Sequence, residues 1–371
     1  MMTSKQFIIP FIVTLFIGLI SFSKYHLIHE SQNNDDTTSA STSVTTTSTA
    51  IHDKDTEKVH LTTSNGILTP TANVSNFKSN NNHPPKLTKN DLIYNPKRNT
   101  VPIVNEEYKT IFFQVAKVAS SEWTRFFIRL NNDPQWCSND RIHDAKVNGL
   151  KYLSDYSIKE ARQMMLNPEW TKAIFVRHPK PRILSAFLDK AVEKSEHFIS
   201  DTCKVYWAKK QETASSYEDC LNNHENFDFF LHEITTTLED NVHWRSIYSR
   251  VDEKWWPYMT YVGNMENLSD DAKTFLQSIH SDQTGKSAWE TIGTSGWSDN
   301  ERDCEHTERS ESDFLAKRDI KHTTRARDKM LKYYTPELEE FVENHYKDDL
   351  ENDFFDFEQI QLFKVDKHHQ P

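Results

Sequence analysis

Lys117, Arg177 and Ser185 are the residues of this 371-residue chain whose types and surroundings point most directly to chemistry on an anion. Lys117 stands between an apolar run, Ile111 to Ala116, and a stretch in which Trp123, Phe126, Phe127 and Leu130 recur at helical spacing. A helix beginning there leaves its first backbone N–H groups without partners. Ser120, Ser121 and Thr124 add hydroxyls, so the turn suits phosphate or sulfate oxygens. Arg177 follows a second apolar run, Ala173 to Val176. His178-Pro179-Lys180-Pro181 then opens another helix, with prolines where a first turn accepts them, and Ser185 lies inside it. Its apolar side is Ile183, Leu184, Phe187, Leu188 and Ala191. Two strand-loop-helix units with a cation at each turn imply one anion gripped from two sides.

A strand-loop-helix carrying lysine also suggests a nucleotide triphosphatase, but that loop needs glycines at fixed places for its backbone to wrap phosphates. All seven glycines of this chain lie outside 111–130. The plain alternative is an ordinary βα unit with a lysine in its turn. The chain is acidic overall, at -11, yet 110–190 holds 13 Lys and Arg against 8 Asp and Glu. A positive field concentrated there draws polyanions, while the acidic remainder argues against general nucleic-acid binding.

In wording, both segments resemble the membrane-bound carbohydrate sulfotransferases, the family of chondroitin, dermatan and HNK-1 sulfotransferases. In the family's 5'-phosphosulfate loop, Pro-Lys-Val-Ala-Cys-Ser/Thr-Asn-Trp-Lys-Arg, the matching residues are Lys117, Val118, Ala119, Ser121, Trp123 and Arg125, with Ser120 in the cysteine's place. Phe175-Val-Arg177 through Ser185-Ala to Lys190 is similar to its 3'-phosphate segment, with the arginine-to-serine spacing kept. Tyr152 to Ser157, His243-Trp244, Tyr261-Val-Gly263 through Glu266, and Thr324-Arg325 also find counterparts, in order, over about Lys109 to Phe357. The family's cysteine pair after the His-Trp stretch is replaced by Asp252-Glu-Lys-Trp-Trp256, and Glu122 and Thr124 replace an amide and a lysine.

The resemblance implies a three-layer, P-loop-like α/β fold with a mostly parallel sheet. It also implies 3'-phosphoadenosine-5'-phosphosulfate (PAPS) as sulfuryl donor and a glycan hydroxyl as acceptor. Lys117 would neutralise charge at the phosphosulfate, with Val118, Ala119, Ser120, Ser121, Trp123 and Arg125 around the donor. Arg177 and Ser185 would clamp its 3'-phosphate, and Thr324 and Arg325 would close over it. Arg182 reads equally as part of that clamp or as a helix-surface salt bridge. For the general base, histidine is the first choice because its pKa lies nearest working pH. His243 leads, His143 in Arg141-Ile-His-Asp follows, and Glu266 is the carboxylate alternative; His178 reads as a helix cap. Trp255-Trp256 reads either as a sugar platform or as core. Two other functions stay open on this fold: a glycan-binding protein that has lost catalysis, and a tyrosine-directed sulfotransferase.

The rest of the chain would deliver this domain to its substrate. Residues 6–23 carry no charge and reach the lower limit for a membrane span. An uncleaved signal anchor after a tail of residues 1–5 is expected, with a cleaved signal peptide as alternative. Residues 24–100, rich in Ser, Thr and Asn, cannot bury a core and read as a flexible stem. Residues 101–371 then form one lumenal domain of a Golgi type II protein. Cys137, Cys203, Cys220 and Cys304 show no metal-ligand spacing. Cys203 and Cys220 flank a polar insertion that a disulfide could close, with free thiols as the alternative. Asn73-Val-Ser75 and Asn267-Leu-Ser269 are glycosylation sequons.

Overall fold

A computed structural model of the protein describes residues 93–94, 101–138, 142, 144–211, 214–297, 313–315 and 324–363. These all fall within one compact unit, 67–371. The expected anchor at 6–23 and most of the stem lie outside the described residues, as do His143, Cys304 and the Asn73 sequon. Among the described residues no helix is long and apolar enough to cross a membrane.

The two apolar runs form neighbouring strands. β2 (Thr110–Phe113) is buried at every residue, and β4 (Thr171–Val176) at all but its first. Strands covered on both faces have no polar alternation, which explains the continuous Ile-Phe-Phe and Ala-Ile-Phe-Val runs. They pair in parallel, with Phe113 opposite Ile174, and β5 (Tyr261–Asn264) adds a further parallel strand beside β4. On the other side, β1 (Ile103–Asn105) and β3 (Lys151–Tyr152) run antiparallel, giving the order β3-β1-β2-β4-β5. The sheet is therefore mixed, not mostly parallel. The chain from β1 to β2 is too short for a crossover and must turn back on itself.

Helix α1 (Ser120–Leu130) follows β2, and its apolar stripe of Trp123, Phe126, Phe127 and Leu130 is buried as the spacing requires. Helix α2 (Ile158–Leu166) is capped reciprocally by Ser157 and Glu160. Helix α3 (Pro179–Phe187) opens at His178, whose ring Nδ1 accepts the Lys180 N–H at 3.2 Å, so His178 is a helix cap. It runs on into a wider π turn, Leu188–Glu193.

Two apolar clusters result. One joins the sheet to α1 and to α4 (Leu268–Ser278), centred on Phe112, Trp123, Phe175 and Phe275. The other packs α3 against residues Phe227 to Leu238, α5 (Ala326–Tyr333) and α6 (Pro336–His345). A Cys203–Cys220 disulfide closes the polar insertion in the second cluster, and Cys137 is disulfide-bonded as well. Trp255 and Trp256 are wholly buried, with Trp256 stacked on Tyr248 at 5.5 Å. They serve the core and offer no sugar platform.

Gly263 faces Phe175 across the β4–β5 pairing, and a Cβ there would lie 2.4 Å from the ring. The ring has nowhere to go, since Trp123 sits 4.6 Å from it. Gly263→Ala is expected to destabilise the domain by about 1–3 kcal/mol, the usual range for overpacking, measurable by urea unfolding. Opening the Cys203–Cys220 loop with a Cys203→Ala, Cys220→Ala double variant should remove about 3 kcal/mol.

Candidate functional site

Because β2 and β4 are parallel neighbours, the turns that leave their C-terminal ends lie side by side. Arg177, at the end of β4, donates from Nη1 to the carbonyl oxygen of Lys117 at 3.2 Å. Arg182, one turn into α3, is 2% exposed. It donates to the Ala116 carbonyl through Nε at 3.3 Å and to the Arg245 carbonyl through Nη1 at 2.7 Å. It is neither a surface salt bridge nor a ligand-facing clamp. Its guanidinium braces the Lys117 turn against the segment that carries His243.

The Lys117 turn itself is unusual. Lys117 and Ala119 both take left-handed backbone conformations, with φ of 68° and 51°, although neither is glycine. Such residues cost about 1–3 kcal/mol each and persist only where their surroundings fix them. Here the fixing is visible: carbonyls 116 and 117 are held by arginines, and Val118 is buried in the sheet cluster. Ala119 caps α1 without a side-chain hydrogen bond, and its carbonyl accepts the first intrahelical bond, from the Trp123 N–H.

A cleft of about 880 Å³ opens over this turn. Lys117, Ala119, Ser120, Ser121, Arg125, Arg177, Ser185, His243, Thr324 and Arg325, all singled out by sequence, line it together. Ser185 and Thr324 are 139 residues apart, yet the Thr324 hydroxyl donates to the Ser185 Oγ at 3.0 Å. Arg325, left-handed at φ 47°, starts α5 beside them. Two expected contributors do not line the cleft. Val118 and Trp123 point into the core, because the α1 stripe that faces the sheet begins at Trp123. The Trp123 N–H is already bonded to the Ala119 carbonyl at 3.0 Å. Glu266 instead accepts the His178 N–H at 3.3 Å and lies outside the cleft lining.

Sequence reasoning missed several lining residues, Asp189, Lys190, Lys194, Lys146 and Val242 among them. Asp189 was within reach of it, since Arg182, Ser185 and Asp189 follow one another at helical spacing along α3 and its extension. Asp189 Oδ2 accepts from Lys117 Nζ at 3.0 Å, while Lys190 and Lys194 approach its two oxygens at 3.3 and 3.0 Å.

The electrostatics follow from burial among cations. Among the described residues, seven basic and three acidic ones line the cleft. Burial pulls the Lys117 ammonium below its ordinary value, and the Asp189 carboxylate opposes that. Burial also works to raise the Asp189 carboxyl, but Lys117, Lys190 and Lys194 outweigh it and hold the group well below the usual carboxylate range. Arg177 is drawn down to about 10 by burial, partly offset by Glu266, and stays cationic at neutral pH. His243 is pushed down to about 3 by burial and by Lys190 and Lys117, so its imidazole is neutral; its Nδ1 is buried without a hydrogen-bond partner among the described residues. Among the described residues no cluster of His, Cys, Asp and Glu suits a metal ion.

A cationic cleft beside a neutral imidazole can hold a multiply charged anion and take a proton from a second molecule. Comparison with known proteins agrees with that capacity. Residues 102–358 match the family model described as the sulfotransferase family. Carbohydrate sulfotransferase 9 of Homo sapiens is 29% identical over 187 residues, which cover 47% of this chain and 40% of the relative. Carbohydrate sulfotransferase 11 of Mus musculus is 28% identical over 203 residues, 52% of this chain and 54% of the relative. Carbohydrate sulfotransferase 10 of Homo sapiens is 33% identical over 92 residues, 24% of this chain and 25% of the relative. The chain thus spans about half or less of the curated relatives it matches. No solved structure matches. The family match runs through every element that builds the cleft, from β1 to the segment beyond α6, and this chain belongs to the sulfotransferase family.

Proposed function

We propose that this protein is a carbohydrate O-sulfotransferase that moves a sulfuryl group from PAPS to a hydroxyl of a glycan. The observation that carries the proposal is the meeting of Lys117, Arg177, Ser185, Thr324 and His243 around one cationic cleft. Lys117 and the first-turn amides of α1, with Ser120 and Ser121, neutralise the phosphosulfate and the charge that grows on its bridging oxygen as the sulfur–oxygen bond breaks. Arg177 and the Ser185–Thr324 hydroxyl pair hold the 3'-phosphate, and Arg325 adds positive charge beside them, while the buried Arg125 is paired with Glu122. His243 accepts the proton of the acceptor hydroxyl as its oxygen bonds to sulfur, and adenosine 3',5'-bisphosphate leaves. His143 is the second candidate for the base.

The fold that fits this chemistry is the three-layer, P-loop-like arrangement, with the donor at the strand C-terminal ends. The uncharged stretch at 6–23 supports a signal anchor, and the Ser/Thr/Asn-rich stretch at 24–100 a stem, for a lumenal catalytic domain in the Golgi. The Cys203–Cys220 disulfide suits an oxidising lumen.

Transfer of label from radioactive PAPS to a panel of desulfated glycans tests the proposal, and labelling of none would overturn it. Lys117→Ala is expected to lower kcat by about 10²–10³, the scale of losing one charge-stabilising donor. Arg177→Lys should weaken binding of adenosine 3',5'-bisphosphate in calorimetry about as much as Arg177→Ala does, because lysine cannot reproduce the bidentate fork. Since the His243 imidazole is neutral down to about pH 3, kcat/KM should show no acid limb between pH 7.5 and 5. His243→Gln should lower the rate by about 10²–10⁴, and an undiminished rate would move the role to His143.

A further inference from the structure

We propose that Asp189 is the positioning residue for Lys117: its carboxylate keeps that ammonium charged and aimed into the cleft until an incoming anion takes its place. A carboxylate is out of character on the wall of an anion-binding cleft, where it subtracts from the field that draws the ligand. Its placement is nevertheless specific. The α3 helix widens into its π turn just where Asp189 falls, and such widened turns recur at functional sites. That turn presents Asp189 Oδ2 to Lys117 Nζ at 3.0 Å, with Lys194 on the other oxygen at 3.0 Å and Lys190 at 3.3 Å. Both partners are largely covered, with 14% of the Lys117 side chain and 13% of the Asp189 side chain exposed.

Lys117 needs such a partner because of what else faces it. Lys190 comes from the same π turn as Asp189, Arg177 from the end of β4, and His243 from the segment before Trp244. Of these groups Asp189 alone carries negative charge. A covered ammonium among cations sheds its proton unless a carboxylate holds it, and a neutral amine can neither neutralise a phosphosulfate nor give it charge-assisted hydrogen bonds. The left-handed backbone at Lys117 fixes where the side chain starts, and Asp189 fixes where it ends. An arriving anion would find the lysine extended and protonated, with an oxygen of Asp189 marking the position its own oxygen takes over.

The catalytic consequence rests on the sulfuryl-transfer reading, whereas the charge state of Lys117 can be measured without it. Full-length wild type, Asp189→Asn and Asp189→Glu would be labelled with trace acetic anhydride across pH 6 to 11, and acetylation of Lys117 read by mass spectrometry, with exposed Lys151 as internal control. In Asp189→Asn the pH of half-labelling at Lys117 should fall by about one unit or more, so that labelling near pH 8 rises about tenfold. Asp189→Glu should stay near wild type, and Lys151 should not move. An unchanged Lys117 profile in folded Asp189→Asn overturns the proposal. If that variant does not fold, a Lys190→Gln, Lys194→Gln double variant decides: it leaves Asp189 to Lys117 alone, so half-labelling should move to higher pH, and no shift again overturns the proposal. In parallel, kcat/KM for PAPS in Asp189→Asn should turn down on the alkaline side at a pH about one unit or more below that of wild type. Absence of turnover in every form would count against the transferase reading, while the labelling would still decide the role of Asp189.

Discussion

Everything in the cleft depends on β2 and β4 lying parallel and adjacent. Hydrogen bonding of two strands in the same direction sends both outgoing turns to one edge of the sheet, and their register, Phe113 opposite Ile174, brings Lys117 within reach of Arg177. Antiparallel pairing would put the two turns at opposite ends, about the length of a strand apart. The cost of this arrangement is a buried pair of strands with no solvent face. That is why Ile111 to Phe113 and Ala173 to Val176 are apolar throughout and why Gly263 must leave room for the Phe175 ring on the neighbouring strand.

The second layer of organisation is carried by arginines that donate to backbone carbonyls. Arg182 joins the turn after β2 to the segment that carries His243, and Arg177 holds the next carbonyl along. A guanidinium has five donors in a rigid plane and suits such cross-bracing better than a flexible ammonium. Lys180, in the same first turn of α3, is tied by short contacts to Glu339 and to the Ile360 carbonyl, and by a 2.6 Å contact to Glu343. The helix that presents Ser185 is thus fixed at its start to the sheet turn, to the His243 segment and to the C-terminal stretch.

Much of this was legible in the sequence because it depends on local pattern. The strands β2 and β4, the stripe of α1, the cap at His178 and the cation at each turn all lie in contiguous stretches. What escaped depends on long-range geometry. β1 and β3 are three and two residues long, too short to carry a period, so the antiparallel half of the sheet left no trace. The direction of Trp123 was misjudged because a residue at a helix start can face either ligand or core, and here five aromatic rings claim it. Arg182 looked like a surface or ligand residue because nothing in its neighbourhood discloses the carbonyls 63 and 66 residues away that it serves. The joining of Ser185 to Thr324 is likewise a fact of tertiary structure.

The left-handed residues at Lys117 and Ala119 bear on how the cleft receives a ligand. Glycine-built phosphate loops are compliant and fold around what they bind, whereas a turn that forces side-chain-bearing residues into the same conformation is stiff before any ligand arrives. Its amides keep their spacing regardless of what occupies it. A rim fixed in this way meets whatever enters the cleft without first having to reorganise.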